Sequence, residues 1–241
     1  KIALATALPT IGNFRSLDIA LGGQGAPLVP VGDRLLFGDY DGCLNLGGIS
    51  NLSFERDGER VAFDIGIANM LLNHISRAAG LDFDRDGLRA RSGKCHEKLL
   101  AELNALEYYQ KDIPKSTGYE WFRDAILPIL DRHPDSLENL LHTATAHIAE
   151  QTGQTLRALL GPSSRVLVTG GGALNGYLME QIRAFAGPEI QIVIPERRLI
   201  EYKEALVFAL LGALRLEGQS NVLASVTGAQ RDSCSGVLYL P

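Results

Sequence analysis

The stretch Cys43-Leu44-Asn45-Leu46-Gly47-Gly48-Ile49-Ser50-Asn51-Leu52-Ser53-Phe54 reads as a strand interrupted by a glycine pair. Asp57-Gly58 is a hairpin turn signal, and Val61 to Phe63 begins a returning strand. Asp64-Ile65-Gly66 follows, after which Ala68, Leu71, Leu72, Ile75, Ala78 and Ala79 share one helical face. Further along, Arg165 to Thr169 (RVLVT) is a short buried strand ahead of Gly170-Gly171-Gly172. A helix is expected over roughly 174–185, a strand over 190–194 and a helix over 201–216. Strands alternating with helices predict an α/β fold with a largely parallel sheet covered on both faces. The intervening 81–160 reads as mostly helical, with Leu99, Leu100, Leu103 and Leu106 as one stripe. Thr117-x-x-Glu120 and Asp135-x-x-Glu138 are candidate capping boxes.

Composition narrows the class. The 241 residues are 46% hydrophobic and 21% charged, values of an ordinary globule rather than of a disordered or collagen-like chain. Against 28 acidic side chains stand 23 basic ones, and the net charge of −5 disfavours nucleic acid or an anionic membrane as partner. No apolar run is long enough to span a bilayer. Cys43, Cys95 and Cys234 show no paired spacing and are expected as reduced thiols in a cytoplasmic protein. The chain opens at Lys1 without Met and without a signal-peptide pattern, as a piece of a longer protein would.

Several residue groups carry potential chemistry. Gly170-Gly171-Gly172 and Asn175 lie between a strand and a helix, where bare backbone N–H groups suit a phosphate or a nucleoside; a tight structural turn accounts for the glycines equally well. Gly47-Gly48 marks either a bulge or a close backbone approach. Asp64, at the end of an apolar strand, would present its carboxylate at the edge where open α/β sheets bind ligands and could act as a general base. The competing role is to cap the following helix. Glu204 opens the last expected helix, where first-turn acids are favoured by the dipole alone. Asp82-x-Asp84-x-Asp86-Gly87 imitates a calcium loop, but its twelfth position is Gly93, so a solvated loop is expected. His142 and His147 are five apart, which does not align two metal ligands, and there is no GxSxG elbow.

The blocks at 13–30 (NFRSLDIALGGQGAPLVP), 44–52 (LNLGGISNL), 114–118 (PKSTG), 170–175 (GGGALN) and 225–229 (SVTGA) resemble, in order, the signatures of the anhydro-N-acetylmuramic acid kinases. The resemblance implies an actin-like (ribonuclease H-like) ATPase fold with a mixed sheet and a helical insertion. It also implies a sugar kinase of peptidoglycan recycling that opens a 1,6-anhydro bond while ATP phosphorylates O6, with Mg²⁺ alongside the nucleotide. By the same resemblance Asp64 is the base activating water and Arg15 and Glu204 hold the sugar. Gly47 and Gly48 approach the phosphates, Gly170, Gly171, Gly172 and Asn175 the nucleoside, and a homodimer is possible. Residues 1–80 are then the remainder of a first domain and the start of a second, 81–160 the insertion, and 161–241 the rest of the nucleotide-binding domain.

Two departures from the family pattern stand out: Asn13 replaces an Asp, and Phe63-Asp64-Ile65-Gly66-Ile67-Ala68-Asn69 replaces a run with Thr and Gly at positions 65 and 68. A phosphate hairpin and a histidine segment of the family's first third are also absent from the chain, so the polypeptide by itself is expected not to turn over. An alternative is a non-catalytic relative that binds nucleotide or a partner. A third possibility is a dinucleotide-binding module over Gly170–Glu196.

Overall fold

The computed structural model describes residues 1–241. Its strands are β1 (Thr10–Gly12), β2 (Gly42–Leu46), β3 (Ile49–Arg56), β4 (Glu59–Ile67), β5 (Arg165–Thr169), β6 (Gln191–Val193) and β7 (Val237–Tyr239). Five of them form one sheet in the order β4-β3-β2-β5-β6. β2, β5 and β6 run parallel, with Asn45 opposite Thr169 and Leu167 opposite Val193. β2, β3 and β4 are sequential neighbours joined by two-residue connections, which only antiparallel strands allow. The sheet is therefore mixed, and the expectation of a largely parallel one holds only on the β5 side. Gly47-Gly48 is the reversal between β2 and β3 rather than a bulge. At the other end of β3, Asp57 and Gly58 both have positive φ, the signature of a type I′ turn.

The chain packs as two compact units, each discontinuous in sequence. One comprises 1–39, 53–62 and 202–241; the other comprises 40–52 and 63–201. The three consecutive segments expected from sequence cut across this division, because 202–241 joins the N-terminal residues.

In the first unit, β1 and β7 pair antiparallel, Thr10 opposite Tyr239. Phe14, Leu28, Val31, Val207, Leu211, Val222 and Leu223 form its core. A buried ion pair, Lys203 Nζ to Asp33 Oδ1 at 2.7 Å, ties the helix Arg197–Leu216 to the helix Val29–Leu36.

In the second unit, Leu44, Leu46, Val166, Leu167 and Val168 are fully buried, as central strands covered on both faces require. The helix Leu137–Leu159 buries Leu141, Ala144, Ile148 and Leu156, and the helix Asn69–Ala78 buries Leu71, Leu72 and Ile75. No helix is long and apolar enough to cross a membrane.

Ser136, not Asp135, caps the long helix by accepting from Asn139 N, while Asp135 accepts from Ser136 N and Asn139 Nδ2. Thr117 caps nothing; its N–H is used elsewhere. The helix that carries Glu204 starts at Arg197, so Glu204 lies seven residues in, beyond the first turn where a dipole preference would explain it.

Candidate active site

β2 and β5 are adjacent and parallel, so the glycine turns that follow them come out side by side at one edge of the sheet. Gly170 has φ 82° and ψ 166°, a conformation essentially reserved for glycine. A Cβ there would also lie 2.7 Å from Leu46 O and from Asn45 Oδ1. Asn69 fastens the first of these turns: its N–H donates to Gly47 O at 3.1 Å and its Nδ2 to Leu46 O at 2.9 Å. Ala68 N and Met70 N both donate to Gly48 O, at 2.8 and 3.1 Å. Gly171 to Leu174 form a short 3₁₀ turn, and Asn175 caps the helix Gly176–Ala186 by accepting from Leu178 N at 3.0 Å. That cap commits Oδ1 of Asn175 and leaves Nδ2 to meet a ligand.

Asp64 does not end its strand. β4 continues to Ile67 and the next helix is entered through Ala68, so helix capping is not its role. Strand alternation puts Phe63, Ile65 and Ile67 on one face, each at most 5% exposed, and Asp64 with Gly66 on the other. Ile65 is thus interior packing facing away from Asp64, and its replacement of a family threonine removes no hydroxyl from the side Asp64 occupies. Asn13, the other departure, has φ 56° and accepts from Ser16 Oγ, a local turn that an aspartate would also make.

What surrounds Asp64 was not legible in advance. Its N–H donates to Lys115 O at 2.9 Å, so the PKSTG segment runs along this edge of the sheet. Thr117 N and Ser116 Oγ both donate to Oδ2, at 3.0 and 3.3 Å. Oδ1 accepts no hydrogen bond from the chain. Burial raises the carboxyl pKa above the ordinary range, and the Thr117 and Ser116 donors pull it back only in part. Tyr108 Oη donates to Asp64 O at 2.7 Å, and Lys115 Nζ donates to Tyr108 O at 3.0 Å while lying over the Tyr108 ring.

Tyr109 rests against Gly66, where a Cβ would approach its ring to 2.6 Å. Behind Tyr109 lies fully buried His147. Its Nε2 is 2.9 Å from Tyr109 Oη and its Nδ1 is 2.6 Å from Asn104 Oδ1. Because Asn104 Nδ2 donates to Glu150, Asn104 presents its oxygen to His147, which therefore carries its proton on Nδ1 and accepts from Tyr109. Burial drives the imidazole pKa down to about 3. No group of three or more His, Cys, Asp or Glu side chains that could hold a metal ion occurs.

From Asp64 the strand runs four residues, about 13 Å, to Ala68 on the Gly48 carbonyl. The second unit thus holds Gly47, Gly48, Gly170, Gly171, Gly172 and Asn175 in the turns that follow β2 and β5, and Asp64 within β4, about 13 Å from the Gly48 contact. Arg15 and Glu204 belong to the first unit. There Arg15, exposed, donates from Nη1 to Gly25 O. Glu204 is exposed on its helix one residue after the buried Lys203.

Comparison with known proteins bears on this arrangement. The chain is 36% identical over 250 residues to the anhydro-N-acetylmuramic acid kinase of Aliivibrio fischeri, covering 99% of this chain and 67% of that protein. The Vibrio cholerae kinase is 36% identical over 252 residues, with 100% and 67% covered, and that of Gloeobacter violaceus 37% over 254, with 95% and 64% covered. The chain thus spans about two thirds of the length of these relatives. Among solved structures, the activator of the 2-hydroxyisocaproyl-CoA dehydratase from Clostridium difficile with bound ADPNP aligns with 79% of this chain and 67% of that one, at 12% identity and a TM-score of 0.47. The family model for anhydro-N-acetylmuramic acid kinase matches residues 1–241, and the chain belongs to that family of sugar kinases.

Proposed function

We propose that the reaction is the hydrolytic opening of 1,6-anhydro-N-acetylmuramic acid coupled to phosphorylation of O6 by ATP, in the cytoplasm, with Asp64 as the base. The observation that carries this reading is the one-sided hold on the Asp64 carboxylate: Oδ2 is fixed by Thr117 N and Ser116 Oγ, while Oδ1 is left to accept a proton. A base is most effective when immobilised and when burial has raised its proton affinity, and Asp64 meets both conditions.

The chemistry balances on that one oxygen. Asp64 Oδ1 takes a proton from water as the water oxygen bonds to the anomeric carbon and the bond from that carbon to O6 breaks. The electron pair released on O6 forms the new bond to the γ-phosphorus, ADP leaves, and the proton on Asp64 passes to solvent. Phosphoryl transfer asks the protein mainly to position its reactants and offset charge. Gly47 and Gly48 would let the phosphates approach the backbone, and Gly170, Gly171, Gly172 and Asn175 would meet the nucleoside. Mg²⁺ accompanying the triphosphate would neutralise charge on its oxygens. The sugar contacts of Arg15 and Glu204 complete the proposal on the strength of the family resemblance.

The test is formation of N-acetylmuramic acid 6-phosphate from the anhydro sugar and ATP by the full-length protein, with Asp64→Asn beside it. The variant should lose a factor of about 10²–10⁴ in rate with its fold intact. Equal rates would remove Asp64 from the role of base.

A further inference from the structure

The segment 82–87 (DFDRDG), which sequence alone marks as a solvated loop, is built into the second unit. Asp84 accepts from Arg89 N and Ala90 N, at 3.1 and 2.9 Å, and so starts the short helix Leu88–Ser92. Asp86 and Gly87 follow with φ of 57° and 67°. This left-handed pair turns the Asp86 carboxylate onto the first residue of the helix Gly176–Ala186, where Oδ1 accepts from Gly176 N at 2.7 Å. Gly87 lies flat against Asn175 and Tyr177: a Cβ would run into Asn175 Oδ1 and come within 2.6 Å of Tyr177 Cβ. Arg91 completes the grip, with Nη2 2.6 Å from Glu180 Oε2 and its guanidinium 4.7 Å from the Tyr177 ring centre.

These contacts have a chemical consequence for the glycine loop. A helix N-terminus ordinarily attracts a phosphate through its free N–H groups and its positive pole. Here Asp86 already occupies Gly176 N and brings a negative charge to that pole, which leaves no place there for a second anion. The loop 170–175 is therefore suited to an uncharged part of a nucleotide. Asn175, its Oδ1 committed to the cap and wedged by Gly87, is held in one orientation.

We propose that Asp86 and Gly87 are positioning residues for the nucleotide: they close the helix Gly176–Ala186 to phosphate and fix Asn175 for a neutral nucleoside, without touching the ligand. This rests on the reading that 170–175 meets the nucleoside and adds what directs it there. The triphosphate is left to the Gly47-Gly48 turn.

Calorimetric titration of the full chain with adenosine and with inorganic phosphate tests the idea, alongside urea midpoints for every variant. Asp86→Ala should weaken adenosine about tenfold, a loss of about 1.4 kcal/mol, and gain measurable phosphate binding. Asp86→Asn, whose amide oxygen can still accept from Gly176 N, should keep adenosine within about threefold of the parent because the geometry survives. A merely stabilising role would lower the urea midpoint without changing the ratio of adenosine to phosphate affinity, and that result overturns the proposal. Unaltered adenosine affinity in both Asp86→Ala and Gly87→Ala overturns it as well. Absence of adenosine binding by the parent chain would instead sink the assignment of the loop, and the positioning role with it.

Discussion

Thr227 Oγ1 donates to Oδ1 of Asp18 at 2.7 Å, joining two sequence blocks 209 residues apart. Asp18 is fully buried, and its other oxygen accepts from Gly25 N at 2.8 Å. The same two blocks also meet through their backbones, where Gln24 N donates to Thr227 O. The carboxylate is thus the hub of the turn that carries the carbonyl gripped by Arg15.

Replacing Asp18 by Ala orphans the buried Gly25 N–H and leaves the Thr227 hydroxyl only its longer bond to Leu223 O at 3.3 Å. Asp18→Ala should cost about 2–4 kcal/mol, read as a lower urea midpoint at unchanged slope. Thr227→Val, which removes only one donor, should cost about 1 kcal/mol.

The pH dependence of turnover should report Asp64. Its carboxyl holds a proton more tightly than an ordinary aspartate, so activity should fall with acidification through that raised pKa. Ser116→Ala removes a donor that favours the charged form, and the acid limb of the rate profile should move to higher pH. A limb that stays in place would show that another group governs it. The folded state binds this proton more tightly than the unfolded chain, so ionised Asp64 opposes folding at neutral pH. Asp64→Asn should therefore be slightly more stable than the parent at pH 7 and lose that advantage in acid.

His147 makes a separate prediction. Folded, it stays neutral down to about pH 3, whereas unfolded it takes up a proton near 6.5. The unfolded state thus binds more protons between those values, and stability should fall as pH drops through that window. Between pH 7 and pH 5 this one site should remove about 2 kcal/mol, and His147→Gln should flatten that part of the urea-midpoint profile.

Lys203 and Asp33 should behave as a pair. Lys203→Ala strands a buried carboxylate and should cost about 3–5 kcal/mol, while the double variant Lys203→Met with Asp33→Leu should recover most of it. Because Lys203 directly precedes Glu204, the double variant should leave the sugar KM near the parent's if the pair only holds the helix. A raised KM would show that it also aims Glu204. Thermal or urea unfolding beside steady-state kinetics separates the two.

Sequence disclosed the parts of this structure that depend on neighbours along the chain. Alternation and glycine punctuation located β2 to β6 within a few residues, because RVLVT or CLNL can satisfy a covered strand in only one way. The surroundings of Asp64 stayed hidden. Lys115, Ser116 and Thr117 lie more than fifty positions away, and Thr117-x-x-Glu120 has the local form of a helix cap, a role that lost to a tertiary bond with the carboxylate. Tyr109 and His147, 38 positions apart, likewise meet only in the tertiary structure, where Gly66 leaves room for the tyrosine. The departures at 65 and 68 lie at the end of β4, where the alternation that turns Ile65 inward is not readable beyond Asp64 from sequence alone.

The pairing of β1 with β7 sets a timetable for biosynthesis. Thr10 leaves the ribosome 229 residues before Tyr239, its partner in the ladder. At about 5–20 residues per second, the 229-residue interval keeps the early strand waiting for roughly 11–46 s. Residues 40–201 contain every segment of the other unit and can collapse in the meantime. Until Tyr239 emerges, β1 stands as an unpaired edge strand.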